Sequence, residues 1–216
     1  MVLKRIAKII YYKIYLKIMP TYVKELKKAI LPCESLLDVG CGSNSPIKSF
    51  SHKFKSTGAD SFRPSIRESK KQGIHQRYYV MNVMDLDKKF RPNSFDIVLA
   101  SDLIEHLKKE DGIRLIRMME KIAKKKIIIM TPNGFMPQDE YDDNPHQLHK
   151  SGWFVKEMKK RGYLVNGMYG LKSLREKYNP QTSRFRYLWL FLSDITQPFV
   201  YTKPEKAFHI LCIKTK

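Results

Sequence analysis

Short apolar runs separated by amphipathic stretches set the pattern of this chain. Residues 35–39, 55–59, 78–82, 95–100 and 126–131 read as strands, the second of them more polar than the rest. The last is nearly all β-branched and apolar, as a strand covered on both faces requires. Ile113, Ile116, Met119 and Ile122 recur at helical steps and predict a helix over 111–123. A helix is also expected after Ser45-Pro46, because proline is tolerated in a first turn, and another over 153–161 that stops at Gly162. Strands at 164–169 and 208–214 complete the series. Strand and helix alternate through the middle of the chain, which argues α/β architecture: a parallel sheet with helices on both faces.

The flanks read differently. Residues 1–30 read as one or two basic helices broken near Pro20. Leu3, Ile6, Ala7, Ile10, Ile14 and Ile18 make a helical stripe interrupted by lysines. Such a stripe packs on the domain or lies on an anionic membrane surface. No apolar run reaches spanning length and no signal peptide is evident, so a transmembrane helix is not expected. Residues 171–206 interrupt the alternation and carry an apolar patch at 187–192. A run that short reads as a packed helix, placed to cap a site or to meet a lipid or bulky substrate. The expected organisation is a single domain over 1–216, with 1–32 as an N-terminal extension and 171–206 as an insertion before the last strand.

Charge narrows the partners. The 216 residues hold 41 basic against 21 acidic side chains, a formal charge of +20. Part of this is solvated surface, but the excess favours anionic partners: nucleic acid, phospholipid headgroups, or a phosphorylated or carboxylated substrate. Three cysteines, Cys33, Cys41 and Cys212, match no disulfide framework or zinc site, and a reducing, cytoplasmic setting fits them.

The most informative local chemistry is Leu36-Leu37-Asp38-Val39-Gly40-Cys41-Gly42, followed by Gly58-Ala59-Asp60. A strand, a glycine turn, a helix start and a second strand ending in an acid make a nucleoside crevice. The dinucleotide fingerprint needs a third glycine, where this chain has Ser45, and Asp38 would repel a pyrophosphate while suiting a cationic ligand. S-adenosylmethionine carries a sulfonium and an ammonium and no phosphate. Asp60 falls where a ribose diol lies, and a carboxylate can accept from both hydroxyls.

These residues, with Ser94-Phe95-Asp96-Ile97-Val98, Ile104-Glu105-His106-Leu107 and Thr131-Pro132-Asn133-Gly134, resemble a class I S-adenosylmethionine-dependent methyltransferase of the type 11 and ubiquinone-biosynthesis O-methyltransferase-like group. The likeness covers about residues 33–170, with the motifs in the family's order. It implies a Rossmann-like, seven-stranded, mostly parallel sheet whose last strand is antiparallel. It also implies that Asp38, Gly40 and Gly42 line the methionine end of the donor, that Asp60 binds the ribose, and that Asn82 and Val83 hold the adenine edge. Relatives often have aspartate at the Asn82 position, so Asp85 is a candidate replacement. Ser101 and Asp102 would lie under the transferring methyl group.

Asp102-Leu103-Ile104-Glu105-His106 places two carboxylates on one face if it forms a helical turn, with a histidine beside them. His146 and His149 follow the Thr131-Pro132-Asn133 turn and would face the same sheet end. Asp102, Glu105, His106 and His149 are therefore candidate ligands for magnesium, manganese or zinc. Small-RNA 2′-O-methyltransferases and ubiquinone O-methyltransferases, which this pattern resembles, use such a site to orient the accepting oxygen. Without metal, His106 or His149 is the candidate general base. The acidic stretch at 139–143 reads as a solvated lid loop. Three readings stay open: an O-methyltransferase for a small-molecule, glycan or lipid-linked acceptor, anionic and at a membrane periphery; an RNA methyltransferase; and a non-catalytic S-adenosylmethionine-binding protein.

Overall fold

The computed structural model describes residues 19–138, 147–176 and 186–216. The N-terminal stripe before residue 19, the stretch at 139–143 and His146 lie outside them. Seven strands form one sheet: β1 (Ser35–Val39), β2 (Lys55–Asp60), β3 (Arg77–Val80), β4 (Phe95–Ser101), β5 (Ala123–Pro132), β6 (Leu164–Leu171) and β7 (Ala207–Thr215). Their order is β3-β2-β1-β4-β5-β7-β6. β7 is antiparallel to both of its neighbours, and the pairings from β3 to β5 are parallel. The chain runs outward from β1 to β3 and then returns to β4, so the order reverses between β1 and β4. A crevice opens there at the carboxyl ends of the strands.

Burial on both faces explains why these strands could be read from apolar runs. Leu37, Val98, Ile127 and Ile129 pack on one side with Leu115, Ile116, Met119 and Ile122 of helix α4 (Lys109–Ile122). Leu36, Ile97, Leu99, Ile128 and Met130 pack on the other with Leu26 and Ile30 of helix α1 (Tyr22–Ile30). Adjacent residues of one strand thus enter opposite clusters, as the period of two requires.

The structure departs from the sequence reading in several places. No α-helix follows Ser45-Pro46. Residues 46–50 form turns with bonds from the Lys48 N–H to the Ser45 carbonyl and from Phe50 to Ile47, before a 3₁₀ turn at Ser51–Lys53. These bonds span three residues, which tightens the chain into β2 too soon for a helix to propagate. A helix not anticipated, α2 (Arg63–Lys71), joins β2 to β3. It buries only Ile66 and Ser69, too few positions to show a period. β3 stops at Val80, two residues early, because Asn82 caps a 3₁₀ turn by accepting from the Met84 N–H at 2.9 Å. A short helix, α3 (Leu86–Lys89), follows. Trp153 is not helical: it bridges to Asn133 and Gly134, and helix α5 (Val155–Lys160) starts after it.

Short helix α6 (Lys172–Arg175) leads into the insertion, whose apolar patch is helical in α7 (Arg186–Ile195), followed by α8 (Gln197–Thr202). Gln197 anchors this unit: its Nε2 donates to the Gly167 carbonyl of β6 at 3.0 Å and to the Pro20 carbonyl ahead of α1 at 3.1 Å. Among the described residues, none of 171–206 lines the main cavity, and α7 and α8 pack against β6. No helix among them is long and apolar enough to cross a membrane.

Candidate active site

The cavity at the strand ends measures about 980 Å³, large for a ligand pocket and able to hold a nucleoside cofactor and a second reactant. The first half of the sheet contributes Asp38, Gly40, Gly42, Asp60, Asn82 and Val83 to its wall. Gly40 has φ +65°, a left-handed conformation that favours glycine, and a Cβ there would stand 2.6 Å from Leu103 Cδ1, which would have to shift. The Gly40 and Cys41 N–H groups donate to the Ala59 carbonyl at 2.8 and 3.2 Å, which ties the turn to the end of β2. Asp60 accepts from the Gly42 N–H at 2.9 Å and the Phe62 N–H at 2.8 Å, so the acid is held at the rim of the glycine turn. Asp85 does not line the cavity: it pairs with Lys88, one turn along α3, at 2.7 Å, a local helix contact that turns it outward.

The second half contributes Ser101, Asp102, Glu105, His106 and His149. Asp102 and Glu105 do not share a helical face. Asp102 has φ +50° and the helical hydrogen bonding begins only at Ile104, as a 3₁₀ turn over Ile104–His106. Asp102 instead accepts from the Ser101 hydroxyl at 3.2 Å and lies 3.6 Å from His209 Nε2. Protein walls around it raise its pKa, although its side chain keeps 47% exposure.

Glu105, His106 and His149 do converge, each offering one ligand atom within 4.8 Å of the others. Backbone stitching brings them together. The Lys150 and Ser151 N–H groups donate to the Glu105 carbonyl at 2.7 and 3.1 Å, which presses the His149 segment against the 3₁₀ turn. Ser151 Oγ donates to the Ile104 carbonyl at 3.2 Å and accepts from Trp153 Nε1 at 3.0 Å. Trp153, fully buried, fixes that segment to α4. Glu105 is 2% exposed and accepts from Thr131 Oγ1 at 3.0 Å. Burial pushes its pKa well up, and Asp102 adds to this.

The two imidazoles meet edge to face, 4.7 Å between centroids. His149 Nδ1 contacts the Met136 carbonyl at 2.6 Å and His106 Nδ1 the Leu148 carbonyl at 3.4 Å. A ring that donates from Nδ1 to a carbonyl leaves Nε2 as its free lone pair. Burial lowers both pKa values, His106 to about 4 with help from His149, so both rings are neutral at pH 7.

Several wall residues had no sequence signal. Tyr22, on the apolar stripe of α1, donates to Ser101 Oγ at 2.9 Å. Tyr169 and His209 stack edge to face at 5.1 Å beside Asp102. Behind the wall, His75 contacts Asp38. Of the second motif, Thr131 reaches Glu105, while Asn133 Nδ2 donates to the carbonyls of Pro204, Glu205 and Ala207 at 3.0–3.1 Å and so pins the insertion's last turn to β5.

A seven-stranded sheet of this order, with a glycine turn after β1 and an acid ending β2, has the architecture of the class I S-adenosylmethionine-dependent methyltransferases. Residues 37–130, a little under half of the chain, match the family model described as a methyltransferase domain, and the fold is the one that S-adenosylmethionine-dependent methyltransferases share. No curated protein sequence matches the chain. Solved structures share its fold. One is a SAM-dependent methyltransferase from Archaeoglobus fulgidus, at 17% identity over 90% of this chain and 91% of that one, TM-score 0.60. Another is phosphoethanolamine N-methyltransferase 2 of Haemonchus contortus in complex with S-adenosyl-L-methionine, at 17% identity over 88% and 51%, TM-score 0.56. A third is the [4+2]-cyclase SpnF, at 14% identity over 90% and 80%, TM-score 0.58. Such a spread of reactions on one scaffold means the acceptor must be argued from the site.

Proposed function

We propose that this enzyme transfers the methyl group to an oxygen of a hydroxylated acceptor, a small molecule, glycan or lipid-linked compound, with a divalent cation at Glu105, His106 and His149 orienting that oxygen. The observation that carries this reading is the convergence of a buried carboxylate and two neutral imidazoles within 4.8 Å, in the cavity that also holds the glycine turn and Asp60. The donor set fits a cation. Glu105 has no lysine or arginine partner among the described residues. A buried carboxylate without a counter-charge is costly, and two imidazoles with one carboxylate suit manganese or zinc better than magnesium. Bound there, the cation would lower the pKa of a coordinated hydroxyl.

The remaining chemistry belongs to the chain. Asp60 accepts from the ribose hydroxyls, Asn82 and Val83 border the adenine, and Asp38 and the glycine turn meet the methionine end. Ser101, held by Tyr22, sits below the transferring methyl. The acceptor oxygen attacks the methyl carbon in line with the carbon–sulfur bond, which breaks to leave the neutral thioether. The hydroxyl proton leaves to a base. His106 and His149 are the groups able to take it when no cation is bound. A second reading, methylation of an RNA 2′-hydroxyl, is favoured by the 41 basic residues against 21 acidic.

Methyl-tritiated donor offered with hydroxylated small molecules, glycans, polyisoprenoid lipids and RNA in parallel tests both. Label on a hydroxyl of a non-nucleic-acid acceptor, abolished by chelator, is expected. Label in RNA, with salt-sensitive binding, moves the assignment to the second reading. Label on an amine nitrogen, or turnover indifferent to chelator, refutes the cation-assisted oxygen chemistry.

A further inference from the structure

We infer that Ser45 and His75 form a clamp that sets the Asp38 carboxylate for the ammonium group of the methyl donor; this rests on the cofactor placement proposed above. Two donors converge on one oxygen of Asp38. Ser45 Oγ donates to Oδ2 at 2.5 Å, and His75 Nε2 lies 3.0 Å from the same oxygen. Asp38 is 1% exposed and lines the cavity, and Oδ1 accepts no hydrogen bond among the described residues. Saturating Oδ2 from behind leaves Oδ1 as the acceptor presented to a ligand, and the carboxylate cannot rotate without breaking both bonds.

The histidine is built for this single contact. Its Nδ1 is buried without a partner, so the proton resides on Nε2, facing the carboxylate. Its backbone N–H donates to Tyr78 Oη at 2.8 Å, Tyr78 Oη donates to the Ser69 carbonyl at 2.8 Å, and the two rings meet edge to face at 5.3 Å. Gly58 of β2 makes room: a Cβ there would stand 3.0 Å from His75 Nδ1 and 2.9 Å from Cys41 Sγ. Two features that look unrelated in the sequence, a serine where a dinucleotide turn has its third glycine and a histidine just before β3, therefore act on one atom. Ligands that carry a primary ammonium beside a nucleoside thioether gain from the clamp, and the same nucleoside without the ammonium does not.

Calorimetric titration of the full chain with S-adenosylhomocysteine and with 5′-methylthioadenosine, which keeps the nucleoside and thioether and lacks the amino acid, separates positioning from packing. His75→Ala should weaken S-adenosylhomocysteine about tenfold or more, the worth of one charge-assisted hydrogen bond, and leave 5′-methylthioadenosine within about twofold. His75→Gln, which restores a donor, should recover most of the loss. Ser45→Ala should show the same split and removes only one hydroxyl, so it keeps the test decisive if His75→Ala fails to fold. Equal losses for both ligands, or no loss for either, would overturn the clamp while wild-type binding upholds the cofactor site. A wild-type chain that binds neither ligand overturns the cofactor placement and the clamp together.

Discussion

Exchanging Glu105 for glutamine should reverse its effect on stability according to whether a cation is present. Glu105 is 2% exposed and its side chain accepts a hydrogen bond from Thr131. An ionised, unpaired carboxylate there would cost several kcal/mol, roughly 3–5, and burial accordingly pushes the Glu105 pKa well up, so that without a cation the protonated acid is favoured. Glutamine keeps the shape and an oxygen for the Thr131 hydroxyl and drops the charge. In chelator, the variant should therefore be at least as stable as the wild type. With cation the order inverts. A ligand at 100 times its Kd stabilises the native state by about 2.7 kcal/mol. In a chain of this size class that corresponds to roughly 5–11 °C in Tm. The wild type should gain that shift with manganese or zinc, and Glu105→Gln should lose most of it together with turnover. Scanning calorimetry of both proteins, with manganese, with zinc and with chelator, reads all six states. An equal cation shift in the two proteins, or a wild type clearly more stable than the variant in chelator, would refute the reasoning.

Three further outcomes follow from the packing. In Gly112→Ala a new Cβ would stand 2.4 Å from Cζ2 of the fully buried Trp153; the helix-propensity gain of about 1 kcal/mol is outweighed by overpacking of about 1–3 kcal/mol, so urea unfolding should show net destabilisation. Tyr22→Phe removes the donor to Ser101 and should lower stability by about 0.5–1.5 kcal/mol, again by urea unfolding. At Asp96, burial alone would raise the pKa. The Glu34 N–H at 2.9 Å and Lys125 at 3.3 Å outweigh it and hold the carboxyl below its ordinary value. A depressed carboxyl contributes stability above its unfolded pKa of roughly 4 and loses it as pH falls through the folded value, so Asp96→Asn should flatten the acid limb of stability against pH.

What could be read from the sequence divides along a physical line. β1, β4 and β5 are buried on both faces, so consecutive apolar residues such as Leu36-Leu37, Ile97-Val98-Leu99 and Ile127-Ile128-Ile129 mark them to within a few residues. Gly40, Gly42 and Asp60 were legible because the chemistry of a glycine turn and a strand-end acid is local to one strand–turn–strand unit. Helix α2 was missed because it buries little more than Ile66. The helix expected after Pro46 failed because three-residue turns use the same backbone donors. Asp102 and Glu105 were read as neighbours on a helical face, and the positive φ of Asp102 separates them.

The side of the cavity formed by Tyr22, Tyr169 and His209, where we propose the acceptor binds, was illegible for a deeper reason. Tyr22, Tyr169 and His209 come from the helix ahead of β1, the end of β6 and the start of β7, and no periodicity links them. They meet because β7 inserts antiparallel between β5 and β6 and brings its N-terminal residues to the active end of the sheet. Tyr22 arrives because α1 packs Leu26 and Ile30 against the sheet and so aims its first turn at Ser101. The half of the site proposed to hold the cofactor is thus written in consecutive residues, whereas the half proposed to take the acceptor is written in topology. Changes confined to Tyr22, Tyr169 or His209 should alter which acceptor is methylated before they alter binding of the methyl donor; initial rates across an acceptor panel, set beside the affinity for S-adenosylhomocysteine, would expose the opposite order.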